Sequence, residues 1–94
     1  MQYRINHNKV ISQAEQIKQL SKDFEVQIAK LENLLAKIKG EWYGPASAAF
    51  QQQLVILIAD MKTTRFYMSS VSSTIKNVAD KIQQEDEQAA SETN

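Results

Sequence analysis

The sequence predicts an all-α fold, an antiparallel hairpin of two long helices that dimerises into a four-helix bundle. Three observations carry this expectation. The two glycines and the single proline, Gly40, Gly44 and Pro45, fall within six positions, so both flanks lack strong helix breakers. Each flank carries an apolar row with a 3.5-residue period. At 94 residues, the chain suits one small domain. An all-β domain, or an enzyme built on βα loops, would need turn residues spread along its length.

The first helix is expected over about residues 8–41. Alternate steps of four and three from Val10 reach Ala14, Ile17, Ser21, Phe24, Ile28, Leu31, Leu35, Ile38 and Trp42, and only Ser21 is polar. Lys37 and Lys39 complement the negative end of the helix dipole. The turn Trp42-Tyr43-Gly44-Pro45 follows: Trp42 is a large apolar plug, Gly44 permits backbone that a Cβ would resist, and Pro45 suits a first helical position. Small residues Ala46 to Ala49 then let the second helix start close to the first.

The second helix is expected over about residues 46–82. The same stepping from Phe50 gives Leu54, Leu57, Met61, Thr64, Met68, Val71, Ile75, Val78 and Ile82, with Thr64 the one polar member. Equal seams joined by a short turn imply antiparallel helices crossing at a shallow angle. Residues 83–94 hold Glu85, Asp86, Glu87 and Glu92 with no basic residue, which reads as a flexible acidic tail. The formal net charge of zero is therefore a mildly basic hairpin balanced by an acidic end.

One hairpin buries a single seam, and a domain this small is marginal even with a complete core. Leu20 and Leu34 lie off the first seam, and Leu54 to Ile58 are five consecutive apolar residues that cover the helix circumference. Leu20, Leu34, Leu54, Val55, Ile56 and Ile58 are accordingly the candidate dimer interface, against a second copy or a related hairpin. The alternative is a monomer with exposed aliphatics.

Most chemical functions lack their residues. There is no cysteine, hence no disulfide, thiolate zinc site or cysteine nucleophile. His7 is the one histidine, in a polar stretch. Ser69, Ser70, Ser72 and Ser73 have no histidine partner and read as a polar face or a close helix contact. No catalytic, cofactor-binding or metal-ligating residue is assigned, and no cofactor is expected. Balanced charge argues against a nucleic-acid partner, and the longest apolar run, Leu54 to Ala59, is far below the ~20 residues of a membrane helix. The lack of a basic polar face weakens a membrane-disrupting role, so stable membrane anchoring is not expected. No signal-peptide core follows the N-terminus.

The bend resembles the hallmark of the WXG family of hundred-residue proteins, the small ESAT-like substrates of bacterial type VII secretion. Trp42, Gly44, Ala46 and Phe50 match Trp, Gly, the small residue and the large apolar residue, and the resemblance covers essentially the whole chain. It implies a substrate exported from the bacterial cytoplasm as a folded hairpin dimer, without a signal peptide, and recognised by the secretion ATPase through its C-terminal end. The alternative it implies is an adaptor that pairs with the helical N-terminal region of a larger secreted toxin. The family's sorting element is a tyrosine followed four residues later by an acid. Here Ile82 and Asp86 hold that spacing without the tyrosine, an apolar variant like those of low-GC Gram-positive members.

Overall fold

The structure, a computed structural model, describes residues 5–92. Helix α1 runs His7–Glu41 and helix α2 runs Pro45–Glu92, and together they form an antiparallel hairpin measuring 76 × 17 × 12 Å. No strand occurs among the described residues. Helix α1 starts where the Asn6 side chain accepts from the Lys9 amide at 3.1 Å, satisfying one of the orphan donors of its first turn. It ends at Trp42, whose extended backbone still donates its N–H to the Ile38 carbonyl at 2.9 Å.

The turn between the helices is short. Gly44 takes φ 111°, a left-handed conformation that side chains with a Cβ rarely adopt, and Pro45 opens α2 where its missing N–H leaves no bond unmade. Helix α2 continues ten residues beyond the expected end at Ile82. The physical reason lies in composition: residues 83–90 are Gln, Glu, Asp and Ala, mostly good helix formers, and nothing after Ile82 breaks the helix. No basic residue occupies its last turn, so the acidic end opposes the helix dipole.

Between the helices, α1 presents the row expected of it. Val10, Ala14, Ile17, Ser21, Phe24, Ile28, Leu31, Leu35 and Ile38 are buried or half-buried, whereas Trp42 is 48% exposed. Helix α2 differs from expectation. Its inward row is Ser47, Gln51, Leu54, Ile58, Met61, Arg65, Met68, Ser72, Ile75, Ala79 and Ile82, an unbroken heptad of which only every second member belongs to the apolar seam. Phe50, Leu57, Thr64, Val71 and Val78 instead lie exposed on one flank.

Small and polar residues hold this inward row because they bond across it. Ser72 Oγ donates to the Ala14 carbonyl at 2.8 Å, and Ser21 Oγ donates to the Arg65 carbonyl at 3.2 Å. Such bonds need close backbones, which Ala14 and Ala79 also allow; both are buried. Ile28, Leu54 and Ile58 form the apolar centre, with Leu31, Leu35, Ile38 and Met61 packed on it.

Candidate functional site

The bend is built from a chain of polar contacts beneath an aromatic cap. Ser47, almost fully buried, donates from Oγ to the Trp42 carbonyl at 2.7 Å and accepts from Gln51 Nε2 at 3.1 Å. The Ala48 amide donates to the Gly44 carbonyl, and the Tyr43 hydroxyl donates to the Gly40 carbonyl at 2.9 Å. Trp42 leans on Phe50 with ring centroids 5.7 Å apart and a 50° tilt. Trp42 is thus a half-exposed lid packed on Phe50 and not a buried plug. Ala46 is exposed beside Pro45.

The two flanks of the hairpin are unlike. One carries ion pairs between helices: Lys62 with Glu32 at 3.2 Å, Arg65 with Glu25, and Lys76 with Glu15. The Lys76 ammonium donates to the Glu15 carboxylate and, with its own charge, holds that carboxyl below its ordinary value, with Lys18 and Lys22 adding to the effect. Near the open end, His7 Nε2 lies 2.7 Å from Asp80 Oδ1, so the histidine in the polar N-terminal stretch has an acidic partner.

The opposite flank is apolar. On α2 it presents Phe50, Leu57, Val71 and Val78, each about half exposed, with Thr64 at the middle of the row. On α1 the positions seven and fourteen residues apart that flank the inward row on this side include Leu20 and Leu34, 50% and 45% exposed. This row of half-exposed apolar residues at heptad spacing is a surface that the hairpin itself does not cover.

The six residues expected at a dimer interface do not share one surface. Leu54 and Ile58 are each 6% exposed inside the hairpin, because they occupy the inward row; they are unavailable to a partner. Val55 faces the ionic flank, where it lines an open groove of about 560 Å³ with Lys39, Ala48, Gln51, Gln52 and Ile56. Ile56 is 54% exposed. Leu57, absent from that set, joins the apolar flank with Leu20 and Leu34.

Ile82 and Asp86 lie one helical turn apart on the inward line of α2, both half-buried, and Asp86 lies beside His7, the first residue of α1. An open cleft there is lined by Ile5, His7, Gln83, Asp86, Glu87 and Ala90. Among the described residues no group of His, Asp and Glu is placed to hold a metal ion, and no helix is long and apolar enough to cross a membrane. Ser47, which ties the bend together, carries one signal in the sequence, its place one turn before Gln51 and two turns before Leu54 on the inward heptad.

A long two-helix hairpin with Trp-x-Gly at its bend and an apolar flank that the hairpin leaves uncovered defines a class of small helical-hairpin proteins. The chain belongs to the WXG100 family, proteins of 100 residues with WXG, which it matches over residues 2–87. Its fold is similar to the crystal structure of a point mutant of EsxB, a secreted protein from Bacillus anthracis strain Sterne. That likeness has a TM-score of 0.77 at 23% identity and covers 92% of this chain and 96% of that one. No curated protein matches the chain by sequence.

Proposed function

We propose that the protein is a small ESAT-like substrate of a type VII secretion system, exported without a signal peptide as a folded homodimer of hairpins. The observation that carries this reading is family membership over nearly the whole chain, combined with an apolar flank left uncovered by the hairpin itself. Two copies joined by that flank make a four-helix bundle and remove Phe50, Leu57, Val71 and Val78 from water. The end of α2, with Ile82 and Asp86 on one face, is the segment the secretion ATPase reads.

The test is to replace Ile82 by Ala together with Asp86 by Asn and to measure the protein in the culture medium and in cells. Export is expected to fall while circular dichroism of the purified variant stays helical. Unchanged medium levels, or equal levels in a strain lacking the ATPase, would sink the reading. A second function is favoured by the groove around Val55, which lies on the ionic flank, away from the apolar row that self-association would cover. It suits an adaptor that also carries the helical region of a larger toxin, and native mass spectrometry of the co-expressed pair would then show a third chain on the dimer.

A further inference from the structure

The ionic flank carries more than its ion pairs. Its groove beside Val55 runs on toward the middle of the rod, because successive open clefts share their lining residues. The cleft at Lys39 and Val55 meets a second at Val55, and the second, lined by Leu35, Ile58 and Ala59, meets a third at Glu32 and Lys62. The third ends at Ala29 and Arg65. Together they follow the seam between the helices from Ala48 to Arg65, a length of about 26 Å along α2. Phe66, 62% exposed and seven residues past Ala59 on the same line of α2, stands at the far end.

Charge along this groove is unevenly met. Lys18, Lys22 and Lys39 stand one heptad from Glu25, Glu15 and Glu32 in turn, so they share this flank of α1. Glu15, Glu25 and Glu32 are already held by cations of α2, namely Lys76, Arg65 and Lys62. Lys18, Lys22 and Lys39 are left without an ion pair among the described residues. The unmet lysines also sit at opposite ends: Lys39 lines the groove at the bend, whereas Lys22 comes level with Phe66, since its neighbour Ser21 bonds to the Arg65 carbonyl. We propose that this groove takes an amphipathic helix of another protein, about five turns long, with acidic residues toward both ends and short aliphatic side chains between them. This rests on the adaptor reading above and states the chemistry of what the groove accepts.

Floor and rim select among occupants. Leu35, Val55, Ile58 and Ala59 offer apolar contact that a phosphate chain cannot use, and Glu25 and Glu32 on the rim repel a polyanion along the middle of the groove. A basic helix would meet like charge at both ends. An acidic-ended helix instead brings carboxylates to the lysines that lack them and lays its apolar stripe where the rim charges are already neutralised. Ala29 and Ala59 leave room for that stripe, and Phe66 supplies an aromatic anchor at the far end. The acidic end of a second copy suits the groove poorly, because Glu85, Asp86 and Glu87 cluster together while Lys76 and Lys81 precede them.

Two fluorescein-labelled peptides of about 18 residues serve as probes, with the same leucine and alanine stripe and either glutamates or lysines toward both ends. Each is titrated with the full chain by fluorescence anisotropy. The acidic probe is expected to bind about tenfold more tightly than the basic one, and Lys18→Glu, Lys22→Glu and Lys39→Glu together should reverse that order. Ala59→Trp, at an exposed helical position in the middle of the groove, should abolish binding of the acidic probe while circular dichroism and the mass in sedimentation stay those of the parent. Equal binding of the two probes, no binding of the acidic one, or acidic-probe binding that survives Ala59→Trp overturns the proposal. A mass that rises with concentration and falls back in Ala59→Trp makes a second copy the occupant and overturns it too. A larger chain that joins the dimer in native mass spectrometry, with the acidic probe unbound, leaves the adaptor reading standing and removes this groove chemistry from it.

Discussion

Leu54 and Leu57 belong to the same apolar repeat, yet the structure assigns them opposite duties, and truncating each to Ala separates them. Leu54 is 6% exposed against Ile28 and Ile58. Removing its branched end forfeits roughly 2.4 kcal/mol at ~0.8 kcal/mol per buried methylene, and the residual cavity raises the loss to about 3 kcal/mol. Leu57 is 46% exposed in the single hairpin, which leaves about 1 kcal/mol to lose and no enclosed cavity. For a domain of this size Leu54→Ala should lower Tm by about 12–24 °C and Leu57→Ala by about 4–8 °C. The assay is thermal and urea unfolding by circular dichroism over a dilution series. Leu54→Ala should cost the same at every concentration at which the oligomeric state is unchanged, whereas the cost of Leu57→Ala should grow as association sets in. Equal losses from the two variants in dilute solution would refute the assignment of the inward row.

Gly44→Ala should cost about 1–2 kcal/mol, since φ 111° strains any residue with a Cβ although nothing lies within 4 Å of the added atom. Gly40→Ala, in helical backbone with equally open space, should instead raise stability by about 0.8–1 kcal/mol; urea midpoints check both. Ser72→Val should destabilise more than Ser72→Ala, because the nearly inaccessible site must take extra methyl groups as well as lose the bond to the Ala14 carbonyl, and the difference should be about 1 kcal/mol or more in the same titration. The Glu15 carboxyl, held below its ordinary 4.5 by Lys76, contributes stability that is complete above that value and fades as pH falls through the lower folded value. Glu15→Gln should therefore flatten the acid limb of the stability profile below about pH 4.5, with no steepening at higher pH.

Helix α1 was legible residue by residue because it has one strongly apolar row, and a hairpin offers it one place to go. Helix α2 was half legible. Its pattern contains two overlapping rows that share Leu54, Met61, Met68, Ile75 and Ile82; counting apolar residues selects the companion row Phe50, Leu57, Val71, Val78 over Gln51, Ile58, Arg65, Ser72, Ala79. Hydrophobicity ranks these rows in the wrong order for the contact within the chain, because hydroxyl bonds to carbonyls and close backbone approach favour Ser72 and Ala79 there. The apolar pattern of α2 points to an end at Ile82 for a related reason. Periodicity vanishes with the last large aliphatic, whereas helix propensity persists through Ala89 and Ala90.

The five consecutive apolar residues of α2 show how one short segment serves several surfaces. At about 100° per residue, Leu54 and Ile58 turn inward, Val55 turns to the ionic flank, Ile56 outward and Leu57 to the apolar flank. The hairpin alone accounts for two of the five, and among the described residues its buried apolar side chains are few: Ala14, Ile28, Leu54, Ile58 and Ala79. Ion pairs on an exposed flank add little to stability, but they keep that flank charged, and under the proposed self-association this leaves the apolar flank as the contact surface. On that proposal Glu15, Glu25 and Glu32 act on partner choice more than on the fold. Reversing it, with Glu25→Lys and Arg65→Glu together, should leave the hairpin's unfolding midpoint and the dimer mass unchanged, since the pair is restored in mirror form. Glu25→Leu with Arg65→Leu should instead create a second apolar flank and drive assembly beyond the dimer, a shift that sedimentation velocity reads directly; a dimer of unchanged mass would show that the ionic flank does not limit assembly.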